Sequence, residues 1–469
     1  MSLDVDKEVQ IRAIETAKAM GVQGLLSDED GVNFRETVYK MITEEDPDIR
    51  MAAADFIRSI YIDIDLAAEY SKSKKELGKR APNRDVYMAK GMVELFNVVA
   101  DEIQDLHPVM EPLMQECDFL KDLGMLCDVM MQEDEDDCLD EEQKATLGRM
   151  ILGVMATLSD LDEKDDSGHR TKKKNNPAHS NCKNATLLLG DKLPAMVRHF
   201  AADVSALTPL IGCLEHFMLE AFNAKDSSLK DLVEALVEIT KKANDEELLI
   251  KCAIALEHFE TEDFSAKAAV QANVKNLFKT MAADLKKVAE AFDKGSKLTT
   301  VQALALHRMV IVSGNCNVFK AEQTIRTSAV KMLEGVTNAD SAVGTDSQCH
   351  ALTIVLQYLT WSVLDGTDGP ERMIEAKEEL MSCCKAIFER GEEASNLLRV
   401  QAHACVADLH HILGCHLTEV SASMLDFIAL CRISGLARRW HMGGSIVVRL
   451  IHCHVSFLDC RRSARKTLK

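Results

Sequence analysis

From Val9 to about Leu430, apolar residues recur at the three- and four-residue spacing that lines one face of a helix, almost without interruption. A chain of 469 residues built this way cannot bury those faces in one ordinary core, because single cores stop growing at roughly 250–300 residues. Stacked helix pairs solve the problem: each pair buries its apolar face against its neighbours, and length adds repeats rather than depth. The residue types agree. There are 8 Pro, 22 Gly, 2 Trp, 5 Tyr and 15 Phe, while Ala, Leu, Met, Glu and Lys carry the sequence. Those five lose little rotamer freedom in a helix. The expected fold is therefore all-α, an α-solenoid of stacked antiparallel helix pairs.

Individual helices can be placed. Val9, Ala13, Ala17 and Met20 share a face of a first helix, with Gly21 as its stop. Asp28-Glu29-Asp30 puts acids near the start of a second, where they suit the helix dipole. Asp46 caps a third, with Pro47 at its first position and Ile49, Ala53, Phe56, Ile57 and Ile60 facing inward. Helices are expected over Asp85–His107, Val109–Met131 and Leu139–Leu158. Glu133 to Asp137 reads as a solvated acidic connection between them. Asp160 to Lys183 has almost no apolar content and ends in Lys172-Lys173-Lys174. It reads as a disordered loop, with a nuclear-import signal as a weaker reading of its lysines. Further breaks fall near Thr208-Pro209, Ala224 to Ser228, Asn244, Asp293 to Ser296, Gly314, Thr337 to Gly344, Asp365 to Pro370 and Gly391 to Ser395. The domains expected are helical repeats over 1–159, a loop over 160–183, repeats over 184–426 and a basic tail over 427–469.

One local signature recurs. Asp46-Pro47-Asp48-Ile49-Arg50-Met51-Ala52-Ala53 opens a helix, and Asp6 to Ala13, Asp245 to Ala253 and Ser395 to Ala402 are looser versions. A polar cap starts the helix, an aliphatic residue enters the core and a small Ala permits close packing. This resembles the second helix of a HEAT repeat.

The order of segments resembles the stromalin family, the HEAT-repeat subunit of cohesin. Ser2-Leu3-Asp4 through Asp55-Phe56 is similar to the latter part of that family's conserved domain. Gly78-Lys79-Arg80-Ala81-Pro82-Asn83 resembles its basic insertion, and Phe119-Leu120-Lys121-Asp122 a family Leu-Lys-Asp segment. Leu193-Pro194, Leu214 to Glu220, Asn244 to Phe259, Leu306 to Met309 and Gln348 to Trp361 continue the likeness in order, so it spans about residues 2–415. The resemblance implies a scaffold, not an enzyme, that binds the kleisin subunit and through it the ring ATPase subunits. It implies a contact to DNA in sister-chromatid cohesion and chromosome segregation, and a nuclear, chromatin-associated location. It also implies that the family's first helices, with the surface that captures aromatic peptide motifs and much of the DNA-contacting patch, lie upstream of Met1. No kleisin-contacting residue can be assigned. Phe427 to Lys469 does not resemble the family; it carries nine basic residues against one acid, Asp459.

Chemistry narrows the function further. Lys+Arg is 55 and Asp+Glu is 75, a net charge of −20, so any nucleic-acid contact must sit in a local basic patch. Lys72, Lys74, Lys75, Lys79, Arg80 and Arg84 supply one: six cations within 13 positions, read as a basic loop after a frayed helix. No aromatic residue interleaves them, so the contact expected is to phosphates and independent of sequence. Lys275, Lys279, Lys286, Lys287, Lys294 and Lys297 form a second cluster, in which Lys275, Lys279 and Lys286 read as an ordinary solvated helix face.

Fifteen scattered Cys without a Cys-x-x-Cys pair read as reduced, mostly buried thiols of the cytosol or nucleus. No run of about 20 uncharged apolar residues is present to span a membrane. No phosphate loop, Gly-x-Ser-x-Gly turn or His-Glu-x-x-His pair occurs. Cys405, Asp408, His411, Cys415 and His416 form the best metal candidate, weighed against a packed helix interior. The tail set Cys431, His441, His452, Cys453, His454 and Cys460 lacks ligand spacing. Met125 to Met131, Tyr358 and Trp361 read as core. No cofactor is expected. A nuclear-transport or phosphatase adaptor, and a metal-dependent enzyme, are the competing readings.

Overall fold

The structure is a computed structural model and describes residues 6–26, 29–78, 83–99, 106–133, 138–168, 177–223, 227–334, 342–365, 370–389 and 396–414. Helices fill the described residues, and no strand occurs among them. The chain divides into two compact units, Met1–Phe278 and Lys279–Lys469.

The first unit is a two-layered stack. One layer runs α1 (Lys7–Val22), α3 (Pro47–Phe56), α6 (His107–Glu116), α8 (Glu141–Gly168), α10 (Val204–Gly212) and α12 (Glu246–Thr261), each helix packing on the next. The other runs α2 (Glu29–Lys40), α5 (Arg84–Val99), α7 (Leu123–Met130), α9 (Pro177–His199) and α11 (Ser227–Lys242). This is the expected stack of antiparallel helix pairs. Helix α13 (Lys267–Asp293) carries the division between the units. In the second unit α14 (Thr300–Asn315), α16 (Ala342–Asp365) and α18 (Asn396–Gly414) form one layer, with α15 (Thr324–Glu334) and α17 (Pro370–Glu389) on the other side of α16.

Three copies of the recurrent signature do what their chemistry requires, and Ser395, which opens the fourth, lies outside the described residues. The carboxylates of Asp6, Asp46 and Asp245 accept from the backbone N–H groups that open α1, α3 and α12. Such a cap contributes about 1 kcal/mol. Ile49, Ala53, Phe56, Ile57 and Ile60 are all buried, as their spacing predicts. In α1 the inward face is different from the expected one. Ile14 and Ala17 are buried, while Val9 and Met20 are 37% and 39% exposed. Gly21 does not end α1; it lies within it, where a Cβ would meet Ile60 Cδ1 at 2.7 Å. The turn that follows belongs to Gly24, at φ 74°.

Two further boundaries move. Pro209 lies inside α10, whose start is capped by Asp203, so the break falls before Val204 rather than at Thr208-Pro209. The expected loop over 160–183 is helical at both ends: α8 runs to Gly168 and α9 starts at Pro177, leaving 169–176, with the lysine run, outside the described residues. Asp160 and Asp162 are partnered. Asp160 Oδ2 is 2.8 Å from His107 Nε2, and Asp162 Oδ1 is 3.1 Å from His179 Nδ1.

Charged pairs tie successive helices of the first layer. Lys18 Nζ is 2.5 Å from Asp55 Oδ2, joining α1 to α3. Arg58 reaches Asp55 at 3.0 Å, Asp63 at 3.1 Å and Glu116, the last residue of α6, at 3.0 Å. Lys251 bonds Glu215, which joins α12 to the turn after α10, at 2.9 Å. In the second unit a neutral seam does the same work. Ser313 donates to Gln357 Oε1 at 2.7 Å and Trp361 Nε1 to the Ser313 carbonyl at 2.7 Å, joining α14 to α16. Gln401 donates to Thr353 at 3.1 Å, joining α16 to α18. Tyr358 is buried as expected, whereas Trp361 is only half-buried.

Candidate nucleic-acid interface

The basic segment is a helix where a loop was expected. Beyond α3 the chain continues without a break through a ten-residue π-helical segment, Ile57–Leu66, into α4, Ala67–Leu77. Ala67, Ala68, Glu69, Lys72, Lys74, Lys75, Glu76 and Leu77 are good helix formers, so their local preference carries the helix on. The π segment is anchored: Ile57, Ile60, Ile62 and Leu66 are buried. At its far end Leu66 sits against Gly91 of α5, where a Cβ would meet Leu66 Cδ2 at 2.7 Å. Tyr61 donates to the Gly91 carbonyl at 2.7 Å and fixes that approach.

Past Leu66 the anchoring stops. No side chain of α4 is buried. The helix is an arm, held by one aromatic contact at its base: the Tyr70 and Tyr87 rings lie 5.4 Å apart, tilted at 54°. Tyr87 also donates to Glu69 Oε2 at 3.5 Å. Gly78 ends the arm at φ 59°, a left-handed conformation that other residues rarely adopt.

Lys72, Lys74 and Lys75 are exposed on this arm, and Arg84 is exposed at the first position of α5. Lys79 and Arg80 lie outside the described residues. None of Lys72, Lys74, Lys75 and Arg84 forms an ion pair among the described residues. On the stack itself, Lys18, Arg35, Arg58, Lys192 and Lys251 are all paired with carboxylates. Lys74 leans back over Tyr70, its Nζ 5.8 Å from the ring centre. Arg84 stands at a helix N-terminus, the end where a cation is disfavoured by the dipole, so it contributes nothing to holding α5. Successive helical residues are about 100° apart, so Lys72 and Lys75, three residues apart, share one face of the arm while Lys74 points to another side. Glu69 and Glu76 lie among them.

The sequence supplied the cations but missed Tyr70 and Tyr87. Their signal was present: one aromatic two residues before Lys72 and another three after Arg84. They flank the basic residues instead of interleaving them, and their rings face each other, which leaves the reading of phosphate contact without base stacking in place.

The other candidates separate cleanly. Cys405 is buried, and burial pushes its thiol well above the ordinary range, away from the thiolate a metal needs. Asp408 is half-exposed; the His411 side chain, Cys415, His416 and the tail set lie outside what is described. Among the described residues no group of three His, Cys, Asp or Glu could hold a metal ion. Burial likewise raises the thiols of Cys117, Cys127 and Cys252 to about 12. Lys275, Lys279, Lys286 and Lys287 lie exposed along α13, with Lys287 paired to Asp284 at 2.9 Å. Leu126, Cys127, Val129 and Met130 of α7 are core. No helix among the described residues is long and apolar enough to cross a membrane.

Comparison with known proteins adds a family. Among solved structures, an engineered protein from a structural genomics consortium aligns over 87% of this chain and 96% of its own, at 12% identity and a TM-score of 0.24, too low to bear on the fold. No curated protein matches the chain. The family model described as the HEAT-repeats domain of cohesin subunit SCC3/SA matches residues 110–361, from α6 through Trp361 of α16. That span exceeds half of the chain, its helix pairs are those of a HEAT-repeat solenoid, and the chain therefore belongs to the cohesin SCC3/SA subunit family.

Proposed function

We propose that this chain is a scaffold that holds the kleisin subunit of cohesin and adds a sequence-independent contact to DNA through the α4 arm. The observation that carries the DNA contact is the arm itself: adjacent exposed lysines, without carboxylate partners among the described residues, on a helix that buries no side chain. A helix with no core contact is not there for packing, and unpaired cations are what phosphates exchange for condensed counterions. Membership of the cohesin family supports the kleisin partner and a nuclear, chromatin-associated location, and favours this reading over a transport or phosphatase adaptor. The mechanism is binding alone; α4 and the start of α5 contribute charge, and the helical stack contributes surface.

Each phosphate contact adds about −0.9 to the log–log salt slope, so six cations give a slope of about −5 and the four described ones about −3.5. The test pairs two measurements on the purified chain. Pull-down of a kleisin fragment reports the scaffold role, and a clean negative removes it. Binding to duplexes of unrelated sequence reports the arm. Lys79→Glu with Arg80→Glu, and separately Lys72→Glu with Lys75→Glu, should weaken all duplexes alike. Affinity that stays unchanged at low salt removes the arm from the function.

A further inference from the structure

We infer that Ser71 is a phosphorylation site whose modification switches off the DNA contact of the α4 arm, an inference that rests on the proposed role of that arm. Ser71 immediately precedes the lysine run, one residue before Lys72, three before Lys74 and four before Lys75. It is exposed, and its hydroxyl makes a single hydrogen bond, donated to the Ala67 carbonyl at 2.8 Å. Ser59, on the same continuous helical run, is buried, and Ser73 is half-buried. Ser71 is thus the serine of this helical run that combines an open hydroxyl with lysines three and four residues on.

The fold makes it reachable. A kinase takes its substrate in an extended conformation, so a serine within a helix is modified only if the helix opens locally. α4 buries no side chain, so opening it exposes little apolar surface. Segments of this kind open at a small fraction of the global unfolding free energy.

The chemistry is a phosphoryl transfer in trans. A serine kinase directed to basic sequences supplies a nucleoside triphosphate. The bond from its γ-phosphorus to the bridging oxygen breaks, a bond from phosphorus to Ser71 Oγ forms, the hydroxyl proton leaves and the nucleoside diphosphate departs. The product carries a charge of about −1.5 to −2. On a helix, positions three and four residues on are neighbours, so the phosphate faces Lys74 and Lys75. It neutralises both within the arm, and re-forming the helix is favoured by that pairing. Two phosphate contacts to DNA are lost, and the salt slope falls in magnitude by about 1.8. Because each contact contributes about eightfold at 0.1 M salt relative to 1 M, affinity falls by about 60-fold at 0.1 M.

The test uses the full chain with phosphoserine installed at position 71 during translation, beside the unmodified chain and Ser71→Ala. Binding to a duplex is followed across a salt titration, with circular dichroism confirming equal helix content. The expected result is the weaker, less salt-dependent binding above for phosphoserine and no change for Ser71→Ala. In parallel, a lysine-directed serine kinase and ATP are applied to the folded chain and to a peptide of residues 66–78, and phosphate is mapped by mass spectrometry. Incorporation at Ser71 in both supports the site; incorporation in the peptide alone overturns it. Duplex binding that is present but indifferent to phosphoserine overturns this inference and leaves the arm's role standing. An unmodified chain that binds no duplex overturns both.

Discussion

Replacing Arg58 by Ala removes the hub of the charged ladder in the first unit, and the cost can be worked from its contacts. Arg58 Nε is 3.0 Å from Glu116, one terminal nitrogen 3.0 Å from Asp55 and the other 3.1 Å from Asp63. Solvent screening discounts each. The Asp63 side chain is more than half exposed, which holds that pair to about 0.3 kcal/mol. Asp55 and Glu116 are better shielded and each contributes about 0.5–1 kcal/mol. The sum is a loss of about 1.3–2.3 kcal/mol, of which only the Glu116 pair, about 0.5–1 kcal/mol, lies between the run that follows α3 and α6. A stack couples only nearest neighbours, so the Glu116 part of the loss appears as weaker coupling between two helices rather than as a softened core. Urea unfolding of Arg58→Ala, Glu116→Ala and the double variant measures it, and the cycle should return about 0.5–1 kcal/mol of coupling. A second readout is the acid limb. Burial would raise the Asp55 carboxyl, but hydrogen bonds from Lys18 and Arg58 outweigh it and hold the group below its usual 3.8. Its contribution is therefore full above about pH 4 and is lost as pH falls through the lowered value. Arg58→Ala should flatten that loss. A coupling below about 0.2 kcal/mol, with an unchanged acid limb, would refute the ladder as a source of stability.

Two further outcomes are expected in the second unit. Burial, with His307 close by, holds the His350 imidazole below its ordinary 6.5, so the unfolded chain takes up that proton first. Stability is then full above about pH 6.5 and declines below it until the lowered value is reached. His350→Gln should lose part of that slope in melting midpoints taken from pH 7 to pH 5, and an identical profile would refute the assignment. Gln348 is fully buried and neither amide atom has a hydrogen-bond partner among the described residues. Gln348→Met, of similar length, should raise stability by about 1–2 kcal/mol in urea unfolding; a destabilised variant would show that the amide is satisfied after all.

How much of this was legible in the sequence depends on where the governing partner lies. The inward face of α3 was readable because Ile49, Ala53, Phe56, Ile57 and Ile60 are large or small apolar groups at strict helical spacing. In α1 the same method chose Val9 and Met20 over Ile14, because exposed and buried apolar residues alternate around that helix. Gly21 looked like a stop, and only Ile60, 39 residues on, makes it a contact. Asp160 looked solvated because its partner His107 is 53 residues earlier. The cations of the candidate interface were all visible, since charge density is a local property. Their helical state was legible too, in the helix formers from Ala67 to Leu77, but the dense like charge beside Gly78 was read as a loop; only the root of the arm, Leu66 packed against Gly91, lay out of local reach. The Tyr70–Tyr87 contact was hidden for the same reason: each ring lies on a different helix.

The ten π-helical residues between α3 and α4 act as a setting ring for the arm. A wider turn shifts everything beyond it around the axis without disturbing what precedes it. Each residue of an α-helix advances by about 100°, so gaining or losing one position just past Leu66 would swing Lys72, Lys74 and Lys75 through more than a quarter revolution while α3 and the buried Ile57, Ile60, Ile62 and Leu66 kept their seats. A single added or lost residue at that point would therefore re-aim the same cations with no change to the lysines themselves.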